Sequence, residues 1–345
     1  MLFIIDIEGD FMSHSNITLN HGNGGNNTKN LIHDIFYKYF GNSILLEGLD
    51  SAVFKSEGER IAFTTDSYVV KPWIFPGGDI GKLSVSGTVN DLSAAGAKPL
   101  YLSCGFIIEE GFEIADLEKI VESMAATAEE AKVKIVTGDT KVVEKGSADS
   151  IYINTSGVGI VYKNYNMKKI VSGDKIILTG TIAEHGTAIA VQRYNLKLKT
   201  EIRSDCAPLC KIIEHLEPYL NDIKIMKDPT RGGIATSLNE IAEYANLSIH
   251  IFEDRIPISK EVDSLNRLLG IDPLYLASEG RMLIGVDAKK AEEILCRLYK
   301  LQCCKDAQII GDFEESKGAL VYIENYFGGK RILNPLEGDI LPRIC

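Results

Sequence analysis

Short strand-like runs alternate with amphipathic helical segments along most of the chain, and this alternation constrains its fold more than any other feature. Apolar, β-branched runs predict strands, whereas apolar residues that recur every three or four positions predict helices. In the first half, strands are expected at 61–65, 101–108, 133–137 and 151–161, with helices at 79–95 and 116–131. The sequence therefore predicts a mixed α and β protein.

A polar, basic break around 164–171 divides this pattern, and a new strand is expected at 175–179. In the second half, helices are expected near 184–195, 206–219, 231–245, 260–269 and 287–299, and strands near 247–253, 281–286, 305–310 and 319–324. Since a single core rarely grows beyond roughly 250–300 residues, the 345 residues are expected to form two domains. We predict an N-terminal extension at 1–20, domains at 21–165 and 172–333, and a tail at 334–345.

The tail is expected to be a mobile arm. Pro335 and Pro342 exclude continuous regular structure from it, and it spans roughly 40 Å when fully extended. The sequence ends in Cys345, which we expect to be exposed. An exposed free thiol is a chemical liability unless it is used, so Cys345 is a candidate functional group, with an accidental terminal residue as the alternative.

Composition limits the functions open to the chain. Its formal net charge of −11 opposes general nucleic-acid binding, whereas Mg²⁺ can bridge acidic residues to a nucleotide. No run approaches the roughly 20 apolar residues of a membrane helix, and no signal peptide is evident, so we expect a cytoplasmic protein without a membrane partner. The seven cysteines form no CxxC motif and are expected to be reduced. A zinc site is the alternative for the four at 206, 210, 303 and 304.

The common nucleotide-binding and hydrolase motifs are missing from the sequence, namely GxxxxGK[ST], GxGxxG after a strand, HExxH and GxSxG. Candidate residues therefore come from carboxylates at the ends of predicted elements. Asp66 ends a strand, and Asn90 and Asp91 lie on a helix of small residues. An unpaired carboxylate in such a buried helix is costly unless a cation binds it, and a surface-facing Asp91 is the alternative.

Glycine-containing segments supply the remaining candidates. Backbone N–H groups at 21–25 can cradle an anion, although this segment also fits a plain loop. The segment 227–233 precedes a helix whose N-terminus suits a phosphate, 137–141 follows an apolar strand, and 278–281 precedes another strand. Each segment is weak evidence by itself, because glycine and aspartate also form ordinary turns.

In order, these segments resemble those of the HypE family of hydrogenase expression/formation proteins, within the AIR-synthase (PurM-like) superfamily of ATP enzymes. The matching motifs are HGNGG, TTDSYVV, FPGGDIG, VNDLSAAGAKP, TGDTKVV, MKDPTRGG, ASEGRM and the terminal PRIC. The resemblance runs from about His21 to Cys345, and PRIC is its most specific part.

The resemblance implies a two-domain α+β fold of the PurM-like type. Its N-terminal domain would form a homodimer through its β-sheet and bind ATP with Mg²⁺ near that interface, and its C-terminal domain would be an α/β sandwich. It also implies a reaction. The carbamoyltransferase HypF loads a carbamoyl group onto the terminal cysteine, ATP-dependent dehydration converts the S-carboxamide into an S-cyanide, and the HypC–HypD complex receives the cyanide for the iron of NiFe-hydrogenase.

By the same resemblance, Cys345 is the covalent carrier, and Glu279 and Lys141 handle protons. A lysine acts as a base only when burial or nearby positive charge lowers its pKa. The implied Mg²⁺ ligands are Asp50, Asp66, Asp91 and Asp228. Asp50 departs from the family pattern, because Leu49-Asp50-Ser51-Ala52-Val53 replaces the usual Asp-Asp-Ala-Ala-Val. The implied nucleotide contacts are Gly24, Gly25, Asp66, Asn90, Asp91, Asp139, Thr140, Thr230, Gly232 and Gly233.

Two other functions remain compatible with the sequence. One is another synthetase or kinase of the superfamily, such as selenophosphate synthetase, AIR synthase or thiamine-phosphate kinase. Selenophosphate synthetases keep a reactive residue near the N-terminus, whereas the first cysteine here is Cys104. The other reading is a non-catalytic ATP-binding scaffold, which gives Lys141, Glu279 and Cys345 no reason to occur together.

Overall fold

The computed structural model describes residues 25–37, 39, 41–56, 58–165, 169–194, 201–315, 318–338, 340–341 and 343–345. The predicted extension at 1–20 and the candidate Gly24 lie outside these residues. The helices are α1 (Asn26–Leu31), α2 (Ile80–Ala94), α3 (Ile114–Ala131), α4 (Glu184–Arg193), α5 (Cys210–His215), α6 (Gly233–Ala245), α7 (Lys260–Leu269) and α8 (Ala291–Leu298). The strands are β1 (Ala52–Ser56), β2 (Glu59–Tyr68), β3 (Ile74–Phe75), β4 (Gly78–Asp79), β5 (Ala97–Glu109), β6 (Lys134–Val143), β7 (Ile151–Val161), β8 (Lys175–Leu178), β9 (Ile223–Lys227), β10 (Ser248–Phe252), β11 (Leu283–Val286), β12 (Gln308–Glu314), β13 (Val321–Glu324) and β14 (Lys330–Ile332).

The first large sheet has the strand order β1-β2-β7-β5-β6. Strands β5 and β6 pair in parallel, and the other neighbours are antiparallel. Every second residue of β7 is buried, as expected for a strand with one face on a core. One row across this sheet runs through Asp66, Thr155, Cys104 and Gly138. This row fixes the distance between the candidate residues near Asp66 and those in the 137–141 segment.

Strand β6 forms an edge of this sheet and is unusually open. Nine of its ten residues are exposed, among them Val136 (59%) and Val142 (68%). A long apolar edge strand presents unpaired backbone groups and is a template for pairing with another chain.

Helix α2 lies at the centre of the molecule. All its residues except Lys82 and Asp91 are buried. Its small residues permit this burial, because a Cβ at Gly87 would lie 2.3 Å from the Tyr68 hydroxyl oxygen. The Asp79 side chain caps the helix by accepting from the N–H groups of Gly81 (2.7 Å) and Lys82 (3.0 Å). This helix therefore presents Asp91 from a rigid, buried element.

The second large sheet has the order β14-β13-β10-β12-β8-β11-β9. Strands β10 and β13 are parallel, and the other pairs are antiparallel. Its core face carries Ile249, Ile251, Phe313 and Ile323, all fully buried or nearly so. Since successive side chains point to opposite faces of a strand, the intervening residues of β10, β12 and β13 form a second, polar face. The same face is apolar and buried at β8 and β11, where it carries Ile177 and Ile284.

The predicted mixed fold with two domains is confirmed. Strands β1, β9 and β14 were not predicted, and most other differences lie at the ends of elements. Strand β2 continues through Asp66 to Tyr68, and β6 runs straight through the 137–141 segment. The predicted helix at 206–219 shortens to Cys210–His215, and a 3₁₀ turn that contains Pro218 follows it. Within the described residues, no helix is both long enough and apolar enough to cross a membrane.

Candidate active site

Four acidic side chains from both domains meet in one region. Asp66 comes from β2, Asp91 from α2, Asp228 from the residue after β9, and Glu279 from the loop before β11. The charges of Asp228 and Asp66 raise the pKa of both Asp91 and Glu279, which places Asp66 and Asp228 within electrostatic reach of both. The fold therefore brings together carboxylates as far apart in sequence as Asp66 and Glu279.

Burial is the main cause of their altered titration. It raises the pKa of Asp91 and of Glu279 well above their usual values, and neighbouring negative charge adds to the effect. Burial and the charge of Asp50 raise the pKa of Asp228 to about 7. Burial also raises the pKa of Asp66, against the opposing charge of Arg231. Without a bound cation, this region therefore retains protons that exposed carboxyl groups would lose.

These side chains fit a magnesium–nucleotide site. Glu279 is 2% exposed, and its Oε1 atom has no hydrogen-bond partner, so a buried acceptor faces the site unused. Carboxylate oxygens are the ligands that Mg²⁺ prefers, and a dication would compensate the buried negative charge. Among the residues described, no three of these carboxylates bring oxygens within 4.8 Å of one another. The site thus suits an ion that takes one or two carboxylates together with phosphates.

Asp50 occupies a different position within the group. The Lys227 ammonium forms an ion pair with its carboxylate and lies 3.2 Å from Glu240 Oε2. The Thr64 hydroxyl lies 3.1 Å from the Asp50 backbone oxygen and 2.8 Å from Asp91 Oδ2. Asp50 is therefore connected to Asp91 through Thr64, while an ammonium group already compensates its own charge.

Arg231 was not singled out in the sequence, although it belongs to the 227–233 segment. The pKa of Arg231 is raised, mainly by negative charge on Cys345, with contributions from Asp66 and Glu279. It is therefore a cation placed among the acidic side chains and the tail. A basic residue inside a glycine segment before a helix was the signal that could have identified it.

Cys345 is half-buried, so the expectation that it is exposed was wrong. The tail packs against both domains: Val69 N–H donates to the Cys345 oxygen (3.2 Å), and His185 Nε2 lies 2.7 Å from the Ile344 oxygen. Burial raises the pKa of the Cys345 thiol to about 12, Arg231 lowers it, and Glu279 and Asp66 raise it further. These influences locate the thiol beside the acidic group.

An ion pair and a backbone hydrogen bond hold Arg343 of the tail. Arg343 pairs with Asp149, which also binds the Lys71 ammonium at 2.6 Å. The Arg343 backbone oxygen accepts from Lys71 N–H at 3.1 Å. These contacts join the tail to the segment that follows β2.

Asn90 differs from the expected nucleotide contact. Its Nδ2 donates to the backbone oxygens of Ala207 (3.2 Å) and Glu279 (3.1 Å), and its Oδ1 accepts from Leu209 N–H (2.8 Å). Since both ends of this fully buried amide bind backbone groups of the second domain, the side chain fixes the loop that carries Glu279.

The 137–141 segment lies apart from this group within one chain. Asp139 and Lys141 form an ion pair of 2.8 Å, and both side chains are 68% exposed. An open depression of about 460 Å³ lies alongside, lined by Cys104, Phe106, Ile135, Thr137, Gly138, Asp139 and Thr140. Three strand spacings separate the row position of Asp66 from Gly138, a distance of roughly 14 Å. The fold thus does not bring Lys141 to Glu279 within one chain.

The glycines predicted to bind phosphate have structural reasons for their identity. Gly232 and Gly233 have φ of 75° and 59° at the start of α6, and a Cβ at Gly233 would lie 2.5 Å from the Leu274 oxygen. Thr230 N–H donates to the Asp228 oxygen at 3.1 Å, so this turn positions Asp228. Gly25 caps the short helix α1.

None of the described groups that could bind a metal includes a cysteine, so the alternative zinc site is not supported.

Comparison with known proteins identifies the fold. The model of the AIR synthase related protein N-terminal domain matches residues 48–161, and that of its C-terminal domain matches 171–323. A thiamine monophosphate kinase of Aquifex aeolicus, 16% identical, superposes with a TM-score of 0.67 over 89% of this chain and 98% of its own, and shares the fold. Two such domains around a buried acidic group define an AIR synthase related protein.

Closer relatives narrow this class. The carbamoyl dehydratase HypE of Bradyrhizobium diazoefficiens is 46% identical over 332 residues, which span 95% of this chain and 96% of the relative. That of Escherichia coli is 41% identical over 338 residues, 96% of this chain and 100% of the relative. The chain belongs to the HypE family.

Solved HypE structures agree with this assignment. HypE in the HypE–HypF complex is 46% identical and superposes with a TM-score of 0.84, over 89% of this chain and 99% of that one. HypE in complex with ATP is 41% identical with a TM-score of 0.80, over 96% and 100% of the two chains.

Proposed function

We propose that this protein is an ATP-dependent carbamoyl dehydratase that converts an S-carboxamide on its own Cys345 into an S-cyanide. The product would supply the cyanide ligand of the NiFe-hydrogenase iron. The observation that carries this proposal is the position of the Cys345 thiol, which lies within electrostatic reach of Arg231, Glu279 and Asp66. Membership in the HypE family supports it, because several relatives bear the name carbamoyl dehydratase and one is solved with ATP.

The chemistry requires an activated oxygen. The thiocarbamate Cys–S–C(=O)–NH₂ loses its oxygen when that oxygen takes the γ-phosphoryl group of ATP and departs as phosphate. Both N–H protons must also leave, which gives Cys–S–C≡N with ADP and phosphate as the other products. The chain must therefore supply a proton acceptor and groups that hold the triphosphate.

Glu279 is suited to accept a proton. Once a bound cation compensates the neighbouring carboxylates and Glu279 is ionised, burial makes it a stronger base than an exposed carboxylate, and its Oε1 is unpaired. Asn90 holds the Glu279 backbone, and Asp205 accepts from the N–H groups of Glu279 (3.2 Å) and Gly280 (3.1 Å). These contacts fix the loop on both sides, so Glu279 is positioned before substrate arrives.

Asp66, Asp91 and Asp228 would hold Mg²⁺ with the nucleotide, and Asp50 would contribute through the Thr64 contact. When bound, the ion supplies positive charge to the phosphate oxygens. Arg231 provides a planar, permanently charged group of the kind that binds phosphate oxygens in pairs. We keep Thr230, Gly232 and Gly233 as phosphate contacts, Thr230 through its hydroxyl and the two glycines as the start of a helix of 13 residues whose N-terminus favours an anion.

Loading of the thiol requires the tail to move. A thiol whose pKa is about 12 is a poor nucleophile, because almost none of it is thiolate at neutral pH. We propose that the tail at 334–345 leaves its position to receive the carbamoyl group from HypF and returns for dehydration. The HypE–HypF complex of a relative supports this partner. The HypC–HypD complex would receive the cyanide in the cytoplasm, where thiols stay reduced.

The exposed edge strand β6 would pair with a second copy to form a homodimer. Its unpaired backbone groups and exposed Val136 and Val142 support this proposal. Lys141 and Asp139 would then be supplied near the site of the second copy. A proton-handling role for Lys141 stays a prediction, since the side chain is exposed and its ion-pair partner is a carboxylate.

Intact-mass measurement tests the function. With HypF, carbamoyl phosphate and ATP, the mass of the chain is expected to rise by one carbamoyl group and then fall by one water, and Cys345→Ala should show neither change. ATP hydrolysis without any mass change at the tail would favour another synthetase of the superfamily. Nucleotide binding without hydrolysis or adduct would favour a scaffold.

A further inference from the structure

The polar face of the second sheet carries a group of side chains that the dehydratase reaction does not use. His250 on β10 stands opposite Asp312 on β12 and Tyr322 on β13. Glu314 and Glu324 lie two residues further along β12 and β13, so they share this face. The face lies toward the β14 edge, whereas β9, which leads to Asp228, is the opposite edge.

Three of these residues converge at the spacing of metal ligands. One ring nitrogen of His250 and one carboxylate oxygen each from Asp312 and Glu314 all lie within 4.8 Å of one another. His250 is 8% exposed, whereas the Glu314 side chain is 44% exposed. The group therefore has a buried nitrogen at its base and an opening to solvent.

The imidazole is fixed in place but incompletely satisfied. It stacks on Tyr322 with a centroid separation of 4.7 Å and packs on Phe252 at 4.4 Å. Nδ1 lies 3.5 Å from Glu314 Oε1, and Nε2 lies 2.9 Å from Glu324 Oε2. Nε2 therefore has a charged partner, whereas Nδ1, the nitrogen nearest Glu314, approaches its oxygen only to 3.5 Å, beyond the usual hydrogen-bond distance of about 2.7–3.2 Å. A ring held rigidly between carboxylates, with a nitrogen left unsatisfied, is suited to a ligand.

Surrounding groups orient the carboxylates. The Tyr322 hydroxyl donates to Glu314 Oε2, and Lys175 Nζ lies 3.0 Å from Asp312 Oδ2. Such outer contacts fix metal ligands and are a regular feature of metal sites. The three carboxylates of this face meet two ammonium groups, since Lys330 lies 3.2 Å from Glu324. One negative charge is left uncompensated when the imidazole is neutral.

We propose that His250, Asp312 and Glu314 bind a first-row transition-metal dication of the Zn²⁺ type. One imidazole nitrogen with two carboxylates suits Zn²⁺ or Co²⁺ better than Mg²⁺ or Ca²⁺, which prefer oxygen ligands alone. Solvent completes the coordination on the open side. The site is independent of the proposed dehydratase function.

Cobalt titration of the full-length, chelator-treated and desalted protein tests this site. Visible spectra distinguish nitrogen and oxygen ligation from binding to the free thiols, which adds sulfur–cobalt charge-transfer bands. We expect one Co²⁺ per chain without those bands, displaced by Zn²⁺, and at least about tenfold weaker in His250→Gln and in Glu314→Gln. Glu253→Gln, also on the surface, should bind as the parent does.

Glu314→Gln guards against a folding artefact, because this side chain is largely exposed while His250 is buried. Equal Co²⁺ affinity in the parent and both variants would overturn the proposal. So would a parent that binds no Co²⁺ at this position while Glu314→Gln lowers the melting temperature, since the group would then be an ion-paired histidine and nothing more.

Discussion

The loop of Glu279 and the strand of Lys141 were predicted to act together, yet the fold treats them in opposite ways. Glu279 is 2% exposed and fixed by Asn90 and Asp205 from two sides. Lys141 is 68% exposed on an edge strand, where its ion-pair partner is its near neighbour Asp139. The first region forms its contacts within one chain, whereas the second leaves an edge strand and its side chains exposed. This difference supports the proposal that one copy supplies the reacting thiol and its base, while the exposed strand pairs with a second copy.

The largest expected effect concerns the buried region. Glu279→Gln removes the proton acceptor but keeps its shape, so we expect carbamoyl loading to persist while dehydration slows by about 10²–10⁴-fold. Time-resolved intact mass measures both steps in one sample. Glu292→Gln, an exposed substitution on α8, is the matched control and should dehydrate normally. A normal rate of water loss in Glu279→Gln would remove Glu279 from the mechanism.

Mixing two inactive variants tests the contrast between the regions. If Lys141 acts on the site of a second copy, Lys141→Ala and Glu279→Gln chains should complement each other, because each mixed dimer contains one intact site. Random exchange of subunits is then expected to restore about one quarter of the parental dehydration. No recovery, with dimers confirmed by light scattering, would mean that Lys141 works within its own chain or has no catalytic role.

The sequence predicted many of the regular helices and strands well. Helix α2 was predicted to within one residue at each end, and β7 (Ile151–Val161) and α7 (Lys260–Leu269) were predicted with the observed bounds, because local periodicity determines such elements. The position of Asn90 was beyond prediction, since its partners Ala207 and Glu279 are over 100 residues away. Cys345 was expected to be exposed because a terminal segment without periodicity gives no sign of packing. The family resemblance supplied the reaction and the residue roles, while the burial of the site required the structure.

The buried carboxylates should destabilise the metal-free protein as pH rises. The folded protein keeps a proton on Asp228 up to about pH 7, whereas the unfolded chain releases it near 3.8. The folded state therefore binds more protons between these values, and the free energy of unfolding falls as pH increases through this window. Asp228→Asn should raise the free energy of unfolding above pH 7 by on the order of 2–4 kcal/mol, with little effect near pH 4.

Urea denaturation at both pH values measures this difference, and Asp254→Asn on the surface is the control. Mg²⁺ with ATP should stabilise the parent more than Asp228→Asn and so reverse the difference in stability between them, because the cation replaces the retained protons. A variant that is less stable than the parent at pH 8 would show that Asp228 is ionised and compensated in the metal-free protein.

The smallest expected effect concerns the tail, whose ion pair between Arg343 and Asp149 is partly exposed. Asp149 binds both Arg343 and Lys71, and its side chain is 35% exposed, so solvent weakens these pairs to at most about 1 kcal/mol. Asp149→Asn should therefore increase the alkylation rate of Cys345 by about two- to fivefold, since reaction occurs from the released tail, where the thiol regains its ordinary acidity. Peptide mass mapping after brief iodoacetamide treatment gives this rate, and Cys296, which is exposed, calibrates the reagent in the same sample. Asp254→Asn is the matched control. A parent whose Cys345 reacts as fast as Cys296 would mean that the tail spends most of its time outside the site, and the contrast between a buried thiol and an open edge strand would then be lost.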